Sequence, residues 1–177
     1  MPDEVKLYAV AGSPFVCRAK IALNMKGIKY EKLGTRSQQQ ECRTSQDPYE
    51  KVVARFWAKF IDEKCIPALY KAFGPNGNEE TDKEACEQLQ ILENELKVKG
   101  TKFFGGDNIN LVDIAADFIA YWLGIIQEAA EKTLFTKDKF PKLTQWADDF
   151  VNLEVVNQVL LPRERLLAFF KKRFGKA

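Results

Sequence analysis

The junction at Asp47 constrains this chain more than any other feature: before it the pattern reads as strand and helix, after it as helix alone. Asp47-Pro48-Tyr49-Glu50 supplies an N-cap residue, a proline at the first helical position and a glutamate at the third, which predict a helix start with a capping box. Val53, Phe56, Trp57, Phe60 and Ile61 follow at helical spacing, and a stripe of this kind places Phe56 and Trp57 in a core, with Phe60 open to either core or pocket. Pro67 is expected to kink or interrupt that helix, and Phe73-Gly74-Pro75-Asn76-Gly77 to end it. Ala85, Leu89, Leu92 and Leu96 predict a second helix that stops at Gly100. Asn110 and Asp113 stand at capping-box spacing, and the helix they open, through Phe118, Ile119, Trp122 and Leu123, is apolar nearly all round and belongs at the buried centre. Phe140-Pro141 opens a shorter helix with Leu143, Trp146, Ala147 and Phe150, and Pro162 opens the last, with Leu166, Leu167, Phe169 and Phe170.

Upstream the periodicity changes. Val5 to Val10 alternates as a short strand, and Ser13-Pro14 then predicts a helix beginning at Pro14, serine being a favoured N-cap and proline a favoured first residue. Phe15, Ile21, Ala22 and Met25 mark one helix face, Gly27 is a C-terminal stop, and Ile28 to Leu33 alternates again. A strand-helix-strand unit of this length predicts two parallel strands with a right-handed crossover. Residues 34–46 are polar, aperiodic and rich in glutamine and serine, hence a linker. The expected division is 1–33, an α/β lobe; 34–46, the linker; and 47–177, an all-helical domain.

Composition removes several functions. With 46% hydrophobic residues the chain is globular, and 27 basic against 25 acidic side chains leave +2, too little field to select nucleic acid. Lys171-Lys172-Arg173, with Lys176, suits the last turn of a helix. The N-terminus has acidic residues and no basic, apolar leader, and the apolar tract from Ile114 to Ile126 is interrupted by Asp117 and too short to span a bilayer, so a cytoplasmic protein without membrane association is expected. Four cysteines, at 17, 42, 65 and 86, form no Cys-x-x-Cys pair, and there is no histidine, which argues against a metal site. The same inventory excludes Ser-His and Cys-His nucleophiles, so any chemistry needs a substrate or cofactor that brings its own nucleophile. Ser13 is sufficiently explained as a cap by local physics, and Cys17 as a small buried thiol.

Ser13-Pro14-Phe15-Val16-x-Arg18, Ile21-Ala22-Leu23 and Gly27-x-x-Tyr30-Glu31 resemble the start of plant tau-class glutathione transferases. Asp47-Pro48-Tyr49-Glu50, Ala54-Arg55-Phe56-Trp57-Ala58-x-Phe60-Ile61-Asp62, Phe103-Phe104-Gly105-Gly106 and Leu111-Val112-Asp113-Ile114-Ala115 extend the resemblance over residues 4–33 and 47–174. It implies an α+β fold, a thioredoxin-like lobe followed by an all-helical C-terminal domain, and conjugation of glutathione to hydrophobic electrophiles in detoxification and stress response. Ser13 matches the family's catalytic serine, a hydrogen-bond donor to the glutathione thiolate. Arg18, one turn on, either adds positive potential there or is a solvated helix-face arginine. Phe15 would touch glutathione and the electrophile, and Phe60, Lys64, Leu166 and Phe169, with Phe170, would line the electrophile pocket between the domains.

The resemblance stops after Leu33. The family's N-terminal domain has four strands and three helices, about 80 residues at ordinary element and connection lengths. Only 46 residues precede Asp47, and no proline lies between Pro14 and Pro48 to serve as the family's cis-proline. The missing pieces hold most of glutathione, so the implied enzyme has an internally shortened glutathione domain and an activity reduced accordingly. Two alternatives stay open: a non-catalytic binder of apolar ligands, and a product that assembles only with intact relatives. Family members form dimers through both domains, so a homodimer is implied, weakened by the missing surface.

Overall fold

The structure is a computed structural model that describes residues 5–8, 12–33 and 47–175. The expected linker at 34–46, Cys42 and Lys176 lie outside the described residues.

Strands β1 (Val5–Tyr8) and β2 (Tyr30–Leu33) pair in parallel, Val5 opposite Tyr30 and Tyr8 opposite Leu33. Helix α1 (Pro14–Met25) connects them, ends at Lys26, and is followed by Gly27 at φ 64°, a left-handed turn that glycine enters without strain. The buried residues of α1 are Cys17, Ile21 and Leu23.

Helix α2 (Pro48–Phe60) opens where the sequence places it, with the Asp47 carboxylate accepting from the Tyr49 N–H at 2.8 Å. Its buried stripe differs from the expected one. Ala54, Ala58, Ile61 and Cys65 face inward, while Phe56 is 61% exposed and Trp57 and Phe60 are half-buried. Small side chains let α2 approach the central helix closely, and alanines carry little weight in a hydrophobic periodicity. Pro67 does not end the helical run. A π-helical segment, Ile61–Cys65, absorbs the proline in a widened turn, Ile66 N–H reaching back to Ile61 O, and α3 (Ile66–Ala72) continues it.

Helix α4 (Glu79–Lys99) begins at a capping box of Asn78 and Thr81 and stops at Gly100, φ 64°. Helix α5 (Leu111–Ala115) begins at the expected Asn110/Asp113 box. The long central helix read from the sequence is three pieces: α5, a π-helical segment Phe118–Trp122, and α6 (Leu123–Ala130). Helices α7 (Pro141–Val151), the unforeseen short α8 (Glu154–Asn157) and α9 (Arg163–Arg173) complete the chain, α9 carrying Lys171, Lys172 and Arg173 in its last turn.

The core is the expected one: Ile114, Phe118, Ile119, Trp122 and Leu123 are buried at its centre, surrounded by Leu89, Leu92, Leu143, Trp146 and Phe150. Two buried carboxylates organise it. Asp113 accepts from the N–H groups of Phe104 (2.9 Å), Gly105 (3.0 Å) and Asn110 (2.9 Å) and from Trp146 Nε1 (2.8 Å). Gly105 has no room for a side chain, since a Cβ there would lie 2.3 Å from the Asn108 carbonyl oxygen. Glu93 accepts from the N–H groups of Lys142 (3.1 Å) and Leu143 (2.7 Å), closing the start of α7 from another helix. No helix among the described residues is long and apolar enough to cross a membrane.

Candidate functional site

Ser13 sits at the N-cap position of α1 with extended backbone, φ −76° and ψ 126°, and its carbonyl accepts the Cys17 N–H at 3.1 Å. Its side chain makes no cap hydrogen bond to the helix. The capping explanation of this serine is therefore corrected: the backbone takes the cap position, proline fixes the first turn, and the half-buried hydroxyl stays uncommitted at the positive end of the helix.

The residue before it is held from outside. Gly12 has φ 88°, and its carbonyl accepts from Trp122 Nε1 at 3.1 Å. A Cβ on Gly12 would lie 3.3 Å from Leu161 Cδ1 and 3.5 Å from Leu166 Cδ2.

Arg18 is not solvated. Its Nε donates to Asp117 Oδ1 at 2.9 Å, its Nη1 to Asp62 Oδ1 at 2.6 Å, and its Nη2 to the Ala115 carbonyl. Only 13% of the Arg18 side chain is exposed, and the guanidinium carbon stands 5.0 Å from the Phe15 ring centroid. Two carboxylates face one cation, so its charge is balanced and its reach ties α1 to both π-helical segments. Burial pushes the Asp117 carboxyl up to about 7 against the pull of Arg18, and its Oδ2 has no hydrogen-bond partner. Cys17 is buried as expected, and burial raises its thiol to about 12, so it is no thiolate at neutral pH.

Phe15 is 55% exposed on the first turn of α1, and the Arg18–Asp62 bond brings that turn beside the Phe60–Lys64 stretch, where Phe60 is half-buried and Lys64 exposed. Phe169 is 59% exposed, its ring 5.3 Å from Phe170. Leu166 differs from its expected place on a pocket wall: it is buried, packed beneath Gly12. Tyr70 was not read from the sequence. Half-exposed, with its ring 5.3 Å from Phe118, it interacts electrostatically with Arg173, Arg18 and Asp117. The signal for it was an aromatic lying off the buried stripe of Leu69 and Ala72 in α3. Among the described residues no group of three or more His, Cys, Asp or Glu is placed to hold a metal ion.

A strand-helix-strand segment docked on an all-helical core is a fold shared with solved glutathione transferases. The structure matches a tau-class glutathione S-transferase from mango, Mangifera indica, with a TM-score of 0.82 and 27% identity over 98% of this chain and 100% of that one. A rice glutathione transferase solved in complex with glutathione shares the fold, with a TM-score of 0.78 and 21% identity over 99% of this chain and 100% of that one. A family profile described as "Glutathione S-transferase, C-terminal domain" matches residues 56–154. A probable glutathione S-transferase of soybean, Glycine max, is 41% identical over 97% of this chain and 95% of its own length. The chain belongs to the glutathione S-transferase family. The soybean alignment extends over 215 positions, and this chain has 177 residues, so at least 38 positions of the relative have no counterpart here.

Proposed function

We propose that this chain conjugates the thiol of glutathione to hydrophobic electrophiles, with Ser13 as the activating donor. The observation that carries this reading is the Ser13 hydroxyl, free of any cap bond at the start of α1. A free thiol near pKa ~8.5 is mostly protonated at neutral pH. The glutathione thiol gives its proton to solvent, and Ser13 Oγ–H donates to the sulfur anion that remains. A hydrogen bond to a charged acceptor contributes about 1.5–3 kcal/mol, which lowers a thiol pKa by about one to two units. The thiolate then attacks the electrophilic carbon, a C–S bond forms, and the leaving group departs with the bonding pair.

In this reading Phe15 borders both substrates, and Phe60, Lys64, Phe169 and Tyr70 present the acceptor surface. Arg18 acts by fixing α1, its charge being spent on Asp117 and Asp62. We read β1, α1 and β2 as the first part of a thioredoxin-like lobe within residues 1–33, with 34–46 as the linker and 47–177 as the helical domain; the shortening falls after Leu33. A homodimer and a cytoplasmic location belong to the same proposal.

The test is glutathione conjugation to a chlorinated nitroaromatic, with glutathione titrated widely and Ser13→Ala alongside. Saturable turnover that falls at least about tenfold in the mutant is expected from loss of a charge-assisted bond. Turnover unchanged by Ser13→Ala, or absent from folded protein at every glutathione concentration, overturns the reading.

A further inference from the structure

We propose that Trp122 is a positioning residue for thiol activation: its indole N–H, presented from the buried centre of the helical domain, holds the Gly12 carbonyl and thereby fixes where the Ser13 hydroxyl points. The inference rests on the role given to Ser13 above. Ser13 Oγ has no cap bond of its own to orient it, so its place is set by the backbone at Gly12 and Ser13. That backbone is gripped from three sides. Trp122, 2% exposed, donates at 3.1 Å, while Leu161 and Leu166 close on the Gly12 α-carbon. Leu161 is itself fixed, its carbonyl accepting the Tyr121 hydroxyl at 2.5 Å.

The π-helical segment explains how one helix serves α1 twice. Asp117 precedes the segment and Trp122 ends it, five residues apart. On a regular α-helix, at about 100° per residue, they would diverge by about 140°. Bonding from i to i+5, as Leu123 N–H bonds Phe118 O, returns residues five apart to nearly the same face. Asp117 therefore reaches Arg18 while Trp122 reaches Gly12, and both ends of the first turn and a half of α1 are registered to one rigid element.

Trp122→Phe keeps an aromatic ring and removes the N–H. The readout is the ultraviolet absorbance of enzyme-bound glutathione thiolate titrated with pH, which needs no turnover, beside kcat/KM over the same range. Loss of one buried bond shifts the thiol titration upward by about half to one pH unit and lowers kcat/KM near neutrality by about three- to tenfold, with recovery at alkaline pH and an unchanged KM for the acceptor. A purely structural role would lower the melting temperature and leave the titration midpoint in place, and that outcome overturns the inference. Should Trp122→Phe not fold, benzothienylalanine at position 122, which keeps the indole outline and replaces N–H by sulfur, gives the same readout. Wild-type protein without a thiolate band overturns the Ser13 reading and this inference with it; a wild-type band with an unmoved variant overturns only the role of Trp122.

Discussion

The helical part of the molecule and its N-terminal segment are held together in opposite ways. Residues 47–175 carry firm bonds of their own: Asp113 gathers four donors, Glu93 closes α7, and Lys132 donates at 2.7 Å to Ala72 O at the end of α3 while pairing at 2.5 Å with Asp82. The described residues of the N-terminal segment lean on that part. Their strands pair with each other over four residues each, and a two-stranded sheet is marginal by itself in water. The firm bonds of α1 run outward, from Arg18 to Asp117 and Asp62, and into Gly12 from Trp122. The lesson is that the backbone on either side of the hydroxyl proposed to activate glutathione is tied to the other half of the molecule.

The contrast breaks most completely at Asp113. Asp113→Ala leaves four buried or part-buried donors without an acceptor, a loss of about 4 kcal/mol or more, and denaturant unfolding should show it even though the site is elsewhere. Arg18→Leu comes next, at about 3 kcal/mol, because Asp117 is then buried without its cation. Its dependence on pH sharpens the comparison. Burial raises the folded-state value of Asp117, so the native chain binds this proton more tightly than the unfolded one. The resulting stability is complete below the ordinary carboxylate value of ~3.9 and is lost as pH rises through about 7. Asp117→Asn should remove that component, its stability rising relative to wild type across this window; parallel curves would show that Asp117 does not titrate there. The smaller effects concern α2. Ala58→Leu overpacks the buried stripe by about 2 kcal/mol, whereas Phe56→Ala stays within about 0.5 kcal/mol, and urea midpoints for the pair decide which face is inside.

Much of the helical part was legible because its signals are local. The Asn110/Asp113 box, the stop at Gly100 and the proline starts of α1, α2 and α7 all lie within a few residues of what they control. The differences come from relations that span the chain and from packing by small side chains. Glu93 caps a helix some fifty positions away, and in α2 the large aromatics outweigh, in any hydrophobic periodicity, the alanines that pack. The widened turn after Asp117 answers a tertiary demand that no periodicity records, whereas the one at Ile61–Cys65 falls beside Pro67, where an interruption of the helix is expected. At the site, the family motif singled out Ser13 and Phe15, but the ties of Arg18 to Asp62 and Asp117 and of Trp122 to Gly12 join residues 44 to 110 positions apart.

Cys17 and Cys65 carry a further consequence. Each is a buried free thiol whose burial raises it to about 12, one in α1 and one in the helical core. A thiol reagent reaches neither until its surroundings part, so the two cysteines are built-in clocks for separate events. If α1 lifts from the core while the core stays shut, Cys17 is labelled long before Cys65, and the ratio of the two rates measures how often Ser13 leaves its place against the core.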